Sequence, residues 1–199
     1  DSVDGGAGTD TVHIVSAADL DGSTKPTLTN VEKVNYTFED GITKFDASGV
    51  ASLTEFIVDQ LSDDAAYSIK NLPDGAKVSL EVETLTTAST IDTAGTTLTL
   101  NPKGNTATTV TVTDAVTLNI TAGSAAINDV SALVLDDDDT TTLTLTGSTT
   151  DGADLLTGAI TGTNVLSSVS ATTDTTGGLI TVGTIVDGDA LTSIVLNAD

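Results

Sequence analysis

The sequence contains no cysteine, methionine, tryptophan or arginine, and it has five aromatic residues and one histidine among 199 residues. The absence of cysteine excludes a disulfide framework, a thiolate zinc site and a cysteine nucleophile. No apolar run approaches the roughly 18 residues that a membrane-spanning helix requires, so we expect no insertion into a membrane. Six lysines against 29 acidic residues give a net charge of −23. Nucleic acids and anionic lipid surfaces need a basic footprint on their partner, so neither is an expected partner.

The residues that are present divide the chain into two segments of different composition. All five aromatic residues, all five glutamates and five of the six lysines lie at or before Glu83. From Thr84 to Asp199 the chain has 116 residues with no aromatic side chain, no glutamate and a single lysine, Lys103. Large aromatic side chains fill thick cores, whereas Leu, Ile, Val, Ala and Thr can fill a narrow coil. We therefore expect a mixed β segment over residues 1–83 and a thin, repetitive β segment over residues 84–199.

Strands are indicated most clearly in the second segment, where apolar and polar residues alternate. This period of two is typical of half-buried β-strands, and Gly, Asn, Asp and Ser separate the runs. Threonine supplies 40 of the 199 residues, and its β-branched side chain favours extended backbone. The alternating runs are Thr97–Leu100, Thr109–Thr113, Val116–Ile120, Thr142–Thr146 and Leu191–Leu196. We expect these apolar residues to face the core: Leu98, Leu100, Val110, Val112, Leu118, Ile120, Leu133, Leu135, Leu143, Leu145, Ile194 and Leu196.

A looser repeat connects the two segments. An apolar residue, a small or polar pair and an apolar-rich strand follow one another at Leu28–Val34, Leu53–Val58, Val130–Leu135 and Leu191–Leu196. Strands recur about every 15 to 25 residues, which is consistent with coils that carry variable loops. We therefore predict an all-β fold, a β-solenoid similar to a parallel β-roll with irregular loops. An antiparallel β-sandwich would give the same spacing of strands and turns and is the alternative.

A glycine-rich stretch lies near the start of the chain. Residues 5–13 read Gly-Gly-Ala-Gly-Thr-Asp-Thr-Val-His, which fits the nonapeptide G-G-x-G-x-D-x-U-x of calcium-binding β-rolls. Glycine permits positive φ and a close approach of backbone carbonyls to a cation. The stretch resembles the repeats of the RTX family, calcium-dependent proteins that Gram-negative bacteria export by type I secretion. The calcium ligands that the resemblance implies are Gly5, Gly6, Gly8 and Asp10, with Asp1 and Asp19 at a spacing of nine residues.

Acidic clusters recur at other expected turns. Calcium takes six to eight oxygen ligands at about 2.3–2.6 Å, so one turn cannot complete a site and needs neighbours. The four consecutive aspartates at 136–139 repel one another unless solvent or a bound cation neutralises them. The simpler interpretation is that these clusters are exposed loops that keep an acidic protein soluble. The further candidate calcium ligands are Asp136, Asp138, Asp151, Asp154, Asp187 and Asp189.

No set of residues indicates catalysis, and we expect no enzymatic activity. His13 has no serine or cysteine nucleophile motif beside it, so we interpret it as an ordinary strand residue. A carbohydrate-active β-helix enzyme is a less favoured alternative. Such enzymes generally line the substrate groove with aromatic or arginine side chains, and residues 84–199 have neither.

Regular threonines on the outside of a solenoid resemble the ice-binding face of some β-helical antifreeze proteins. The intervals between the threonine runs vary, so the ranks need not align on one face. The simpler interpretation is that threonine serves as a solvent-tolerant strand former. The ranks would be Thr97/Thr99, Thr109/Thr111/Thr113 and Thr142/Thr144/Thr146.

The composition and the RTX-like turn together resemble the surface-layer (S-layer) proteins of Gram-negative bacteria, whose lattice domains assemble in the presence of calcium. The resemblance implies a structural, self-assembling protein at the bacterial cell surface, outside the cell. Its cofactor would be Ca²⁺, which orders loops and bridges acidic surfaces, and its partners would be further copies in a lattice or filament. A cell-surface polysaccharide is a further candidate partner. An RTX adhesin and an ice-binding module are the alternatives.

Overall fold

The computed structural model describes residues 2–38, 43–59, 66–81, 88–103, 105–123, 127–135, 139–148, 153–162, 164–173, 178–186 and 189–198. The fold is all-β, with 4% of its residues helical. The helical residues within these ranges form two short 3₁₀ turns, Gly22–Thr24 and Ala47–Gly49. Within the described ranges, no helix has the length and apolar character needed to cross a membrane.

The strands form two large sheets and one small sheet. Their bounds are β1 Ser2–Asp4, β2 Thr11–Ser16, β3 Thr27–Thr29, β4 Lys33–Phe38, β5 Thr43–Asp46, β6 Glu55–Val58, β7 Tyr67–Leu72, β8 Lys77–Leu80, β9 Ser89–Thr93, β10 Thr97–Pro102, β11 Asn105–Thr113, β12 Thr117–Thr121, β13 Ile127–Leu135, β14 Thr142–Thr146, β15 Asp154–Thr161, β16 Ser168–Thr173, β17 Ile180–Val182 and β18 Ser193–Ala198. The front sheet consists of the nine even-numbered strands from β2 to β18. The back sheet consists of the seven odd-numbered strands from β5 to β17, and β1 pairs with β3 in the small sheet.

Every strand pair among the described residues is parallel. From β4 onward, successive strands alternate between the front and back sheets, so each coil of chain adds one strand to each sheet. The result is a β-solenoid of about seven turns, which confirms the predicted fold class. The alternative of an antiparallel sandwich is wrong, because a sandwich requires antiparallel neighbours.

The length of one coil changes along the front sheet. From β2 to β10 the coils are of equal length. The paired residues follow one another there at a constant interval, as shown by Thr11, Lys33, Glu55, Lys77 and Thr99. Beyond β12 the coils are slightly longer, as the paired residues Thr117, Thr142, Ser168 and Ser193 show.

Both large sheets continue without a break across the boundary in composition between Glu83 and Thr84. In the front sheet β8 pairs with β10, and in the back sheet β7 pairs with β9. The change in composition therefore falls inside one continuous stack of coils.

The core lies between the two large sheets, and its side chains differ between the earlier and the later coils of the chain. All five aromatic residues of the chain are buried and form one cluster, in which ring centroids lie 4.2–6.1 Å apart. In the coils after this cluster the interior contains aliphatic side chains such as Leu100, Leu118, Leu143 and Ile160. The aromatic residues are Tyr36, Phe38, Phe45, Phe56 and Tyr67.

Ten of the twelve residues predicted to face the core are buried. The two exceptions are Ile194 and Leu196, which are 59% and 73% exposed. They pair in register with Val169 and Ala171, which are only 2% and 6% exposed. Residues that pair in register from one strand to the next form a column across the sheet. Ile194 and Leu196 therefore lie in columns that face the core. They are exposed because β18 is the outermost strand of the front sheet and no further coil among the described residues covers them.

Candidate calcium turn and outer surfaces

The glycine-rich turn after β1 packs closely against the next coil. A side chain at Gly5 is excluded, because a Cβ there would lie 2.2 Å from the Asn30 carbonyl oxygen. Gly6 and Gly8 have φ of +87° and +132°, a region that residues with a Cβ rarely adopt. The Gly5 N–H donates to the Thr29 carbonyl at 2.9 Å. The backbone of the turn therefore favours glycine at all three positions, because space is lacking at Gly5 and φ is positive at Gly6 and Gly8.

Three carboxylates surround this turn. Asp4 Oδ1 accepts hydrogen bonds from the Gly6 N–H at 3.0 Å and from Asn30 Nδ2 at 2.9 Å. The Asp10 N–H donates to Glu32 Oε2 at 2.8 Å, which brings a second acidic side chain beside Asp10. Asp10 Oδ2 is shielded from solvent and has no hydrogen-bond partner. A buried carboxylate oxygen without a partner is costly, and a bound cation is one way to satisfy it.

The unpartnered Asp10 oxygen and the Glu32 carboxylate beside it suit a cation, but the turn does not supply a full set of acidic ligands. Among the described residues, no three Asp, Glu, His or Cys side chains converge in a metal-binding cluster. Within the same residues, no lysine forms an ion pair with Asp4, Asp10 or Glu32. Asp10 and Glu32 could hold a cation together with backbone carbonyl oxygens of the turn and water, the usual way in which calcium completes six to eight oxygens.

The other predicted ligands that the structure describes do not join this turn. Asp19 lies beyond the far end of β2 from Asp10, and six strand residues span about 20 Å, so the two cannot bind one ion. Asp19 Oδ1 instead accepts the Lys44 N–H at 3.0 Å. Asp154 Oδ1 accepts the Leu179 N–H at 2.7 Å, and Asp189 is exposed. The predicted ligands that lie outside the described residues are Asp1, Asp136, Asp138, Asp151 and Asp187.

Several carboxylates connect one coil to the next, a role that the sequence patterns did not indicate. Asp74 Oδ1 accepts the backbone N–H groups of Thr96 and Thr97, both at 2.8 Å. These hydrogen bonds lower the pKa of Asp74 because they stabilise the ionised form.

Asp46 has the same role one coil earlier. Its carboxylate accepts hydrogen bonds from the Ser48 N–H and from Asn71 Nδ2, one coil away. Its burial opposes ionisation, but these hydrogen bonds and nearby Lys25 lower its pKa to about 2. Asp46 is therefore ionised at neutral pH and links two coils.

A ladder of alternating charges crosses the front sheet at β4, β6 and β8. Glu55 lies between Lys33 and Lys77 in register, with nitrogen–oxygen distances of 2.9 and 3.0 Å. The Ser79 hydroxyl donates to the same carboxylate at 2.7 Å. Partial burial favours the neutral acid, yet the hydrogen bonds from Lys33, Ser79 and Lys77 lower the pKa of Glu55 to about 2. The ladder connects three successive coils.

The same outer face is uncharged from β10 to β18. None of the five front strands in this region contains a charged residue. Their outward positions carry hydroxyl or amide side chains in register, with one exception at Val195. The strand spacing of about 4.8 Å makes these rows regular. The two outer rows are Thr97, Thr117, Thr142, Ser168 and Ser193, and Thr121, Thr146, Thr172 and Asn197.

The predicted threonine ranks therefore align only in part. Thr97 and Thr99 lie on the same face as Thr142, Thr144 and Thr146. The rank Thr109/Thr111/Thr113 belongs to β11 and lies on the back sheet, so it does not join that face.

His13 is an exposed residue of β2, in agreement with its interpretation as a strand residue. The fold and these surfaces define the chain as a two-sheet parallel β-solenoid. No protein-family model, no curated protein and no solved structure matches it.

Proposed function

We propose that this solenoid is a structural, self-assembling protein of the bacterial cell surface, a component of an S-layer or an extracellular filament that calcium orders. The observation that carries the proposal is the stacked architecture, in which one strand direction and one set of inward columns continue from β2 to β18. Such a body can be extended by adding the same unit again. With a net charge of −23, copies repel one another until cations screen or bridge their carboxylates.

Calcium is proposed to bind at the glycine-rich turn. Asp10 and Glu32 would hold the ion, because the Glu32 carboxylate accepts the Asp10 N–H and no described lysine forms an ion pair with either side chain. A bound divalent cation would supply positive charge to the unpartnered Asp10 Oδ2. Ordering of this turn would fix β1 against β3 and the first coil against the second.

Thermal unfolding in chelator and in millimolar calcium tests the calcium site. We expect calcium to raise the melting temperature of the wild type, because a ligand that binds only the folded state stabilises it. Asp10→Asn and Glu32→Gln should each reduce this increase. Asp174→Asn removes one carboxylate outside the turn and the acidic clusters, and it should leave the increase intact. A melting temperature that calcium does not change would contradict the proposed site.

Light scattering of the same samples tests self-assembly and separates it from adhesion. A lattice or filament protein should scatter more strongly as calcium is added and return to monomers when calcium is chelated. An RTX adhesin should remain monomeric and bind a cell-surface polysaccharide instead. A monomer throughout the calcium titration would favour the adhesin.

The uncharged face of the front sheet favours ice binding as a second candidate function. Its hydroxyl and amide groups repeat in register across β10, β12, β14, β16 and β18, as a surface that orders water requires. Ice-crystal shaping by the wild type should be lost in Thr144→Lys, at the centre of this face. Thr111→Lys on the back sheet makes the same change and should retain it. Unshaped ice with the wild-type protein would exclude this function.

A further inference from the structure

The two ends of the solenoid are complementary to each other. At the C-terminal end, Ile194 and Leu196 expose apolar surface that is buried at the equivalent positions one coil earlier. At the other end, Val12, Ile14 and Leu20 line an open apolar groove. Val12 belongs to the same inward column as Leu196, since the register leads from Val12 through Val34, Phe56, Val78, Leu100, Ile120, Leu145 and Ala171 to Leu196.

The backbone hydrogen bonds at one corner of the coils show how a further coil would attach. The Thr141 carbonyl accepts the N–H groups of Ser167 and Ser168 in the next coil, at 3.0 and 3.1 Å. The Ser167 carbonyl in turn accepts those of Thr192 and Ser193, at 3.0 and 3.2 Å. The next acceptor in this series is the Thr192 carbonyl, to which no described backbone N–H donates.

The first front strand offers a backbone donor to the open edge of β18. Lys33 and Glu55 each donate their N–H to a carbonyl of the preceding coil, at 3.0 and 3.1 Å. Thr11 is the first residue of their column and has no preceding coil among the described residues. The neighbouring Asp10 N–H is not available to a second molecule, because it donates to Glu32 Oε2 within its own molecule. In the register that places Val12 over Leu196, Thr11 lies over Val195, so a molecule placed head to tail would offer its Thr11 N–H to the Ile194 carbonyl on the open edge of β18.

We propose that a second copy of this chain docks head to tail, with its β2 edge on the β18 edge of the first copy. This inference rests on the proposed self-assembly and specifies the surfaces that carry it. Parallel strands point the same way at both ends, so a simple translation along the solenoid continues the front sheet. The edge hydrogen bonds and the exposed Ile194 and Leu196 are then covered together.

The size and charge of this contact predict its behaviour. One coil end is small compared with the total of about 1,200–2,000 Å² that stable interfaces bury, so assembly should depend strongly on protein concentration. Acidic residues lie near both ends, for example Asp4 and Asp19 at one end and Asp189 at the other. The contact should therefore form in about 1 M NaCl without calcium, because charges are then screened beyond about 3 Å.

Sedimentation velocity in about 1 M NaCl with chelator tests the contact. The wild type should form a concentration-dependent series of oligomers. The C-end variant Ile194→Glu/Leu196→Glu and the N-end variant Thr11→Pro, which lacks the donor N–H, should each remain monomeric. Both changes lie on exposed edge positions, and circular dichroism checks that the variants are folded. The matched control Thr144→Glu/Ser170→Glu adds the same charge on the uncharged face and should assemble like the wild type.

Mixing the two end variants gives the sharpest result. Each variant retains one intact end, so an equimolar mixture should form dimers and nothing longer. Wild-type filaments should repeat along their axis every ~43 Å, which corresponds to the nine front strands at about 4.8 Å each.

The outcomes separate this contact from the proposed function. End variants that assemble like the wild type in high salt would overturn the head-to-tail contact. If calcium nevertheless assembles all of them into the same sheets, the proposed function stands. A wild type that is monomeric in both high salt and calcium contradicts both proposals.

Discussion

The lower coils, from β4 to β9, and the upper coils, from β10 to β18, share one architecture but reach it with different side chains. The lower coils enclose the cluster of five aromatic rings and carry the Lys33–Glu55–Lys77 ladder outside. The upper coils enclose aliphatic residues and present uncharged hydroxyl and amide groups on the front sheet. A parallel stack thus depends on the alternation of inward and outward positions and tolerates wide variation in what fills them.

The largest expected effect compares the two cores. Phe56→Ala and Leu143→Ala both remove fully buried side chains, at costs of about 4 and about 3 kcal/mol. Tyrosine fluorescence reports only on the lower coils, because Tyr36 and Tyr67 are the only tyrosines. In urea unfolding, Phe56→Ala should lower the midpoint of the fluorescence transition strongly. Leu143→Ala should shift the midpoint seen by circular dichroism more than that seen by fluorescence, and equal shifts would indicate that the stack unfolds as one unit.

A second comparison tests how closely the upper coils approach. A Cβ at Gly158 would lie 1.6 Å from the Ser131 carbonyl oxygen of the neighbouring coil. Gly158→Ala should therefore force the coils apart and cost about 2 kcal/mol or more, measured by urea unfolding. Gly147→Ala is the control, because its Cβ would have no neighbour closer than 3.6 Å. If the two variants are equally stable, the close approach at β13 and β15 is wrong.

The charged ladder makes the lower coils sensitive to acid in a defined range. The pKa of Glu55 falls from its ordinary value of 4.5 to about 2 on folding. The contribution of ionised Glu55 to the free energy of unfolding is complete above pH 4.5 and is lost as the pH falls through about 2. Protonation then removes the charge that both lysines bind. With allowance for solvent screening, Glu55→Gln should cost about 2 kcal/mol at neutral pH and much less near pH 2.

Urea unfolding across this pH range compares Glu55→Gln with Glu81→Gln. The Glu81 side chain is 39% exposed and pairs with a single lysine, Lys103. Its replacement should therefore change stability by about 0.5 kcal/mol or less. A wild type whose advantage over Glu55→Gln does not depend on pH would show that the ladder is not the source of the effect.

The smallest expected effect concerns the uncharged face of the upper coils. Thr144→Val keeps the β-branched shape and removes one half-buried hydroxyl group. We expect thermal unfolding to show a change within about 0.5 kcal/mol, as for most surface substitutions. A larger loss would mean that the hydroxyl rows stabilise the stack, rather than remaining available for a partner.

The strands of the upper coils could be predicted because alternation is a local signal. The expected run Thr142–Thr146 coincides with β14, and the core positions from Leu98 to Leu145 are buried as expected. The sequence patterns did not indicate the constant coil length from β2 to β10, because the inward column there changes residue type from Val34 to Phe56 to Val78. Only the spacing repeats there, and no single residue type marks it.

The candidate site was predictable only where a motif is contiguous. The glycine positions of the turn follow from Gly5 to Gly8 in the sequence, whereas Glu32 joins Asp10 from the next coil. Asp74 was missed for the same reason, because its partners Thr96 and Thr97 are one coil away. Contacts between coils depend on the register of the stack, which no local pattern contains.

Self-assembly under calcium is the central claim, and sedimentation velocity at physiological ionic strength tests it most directly. The wild-type protein should sediment as a monomer in chelator, because its net charge of −23 keeps copies apart. Addition of millimolar calcium should convert it into large ordered assemblies that chelation reverses. A single monomeric species at every calcium and protein concentration would contradict the claim.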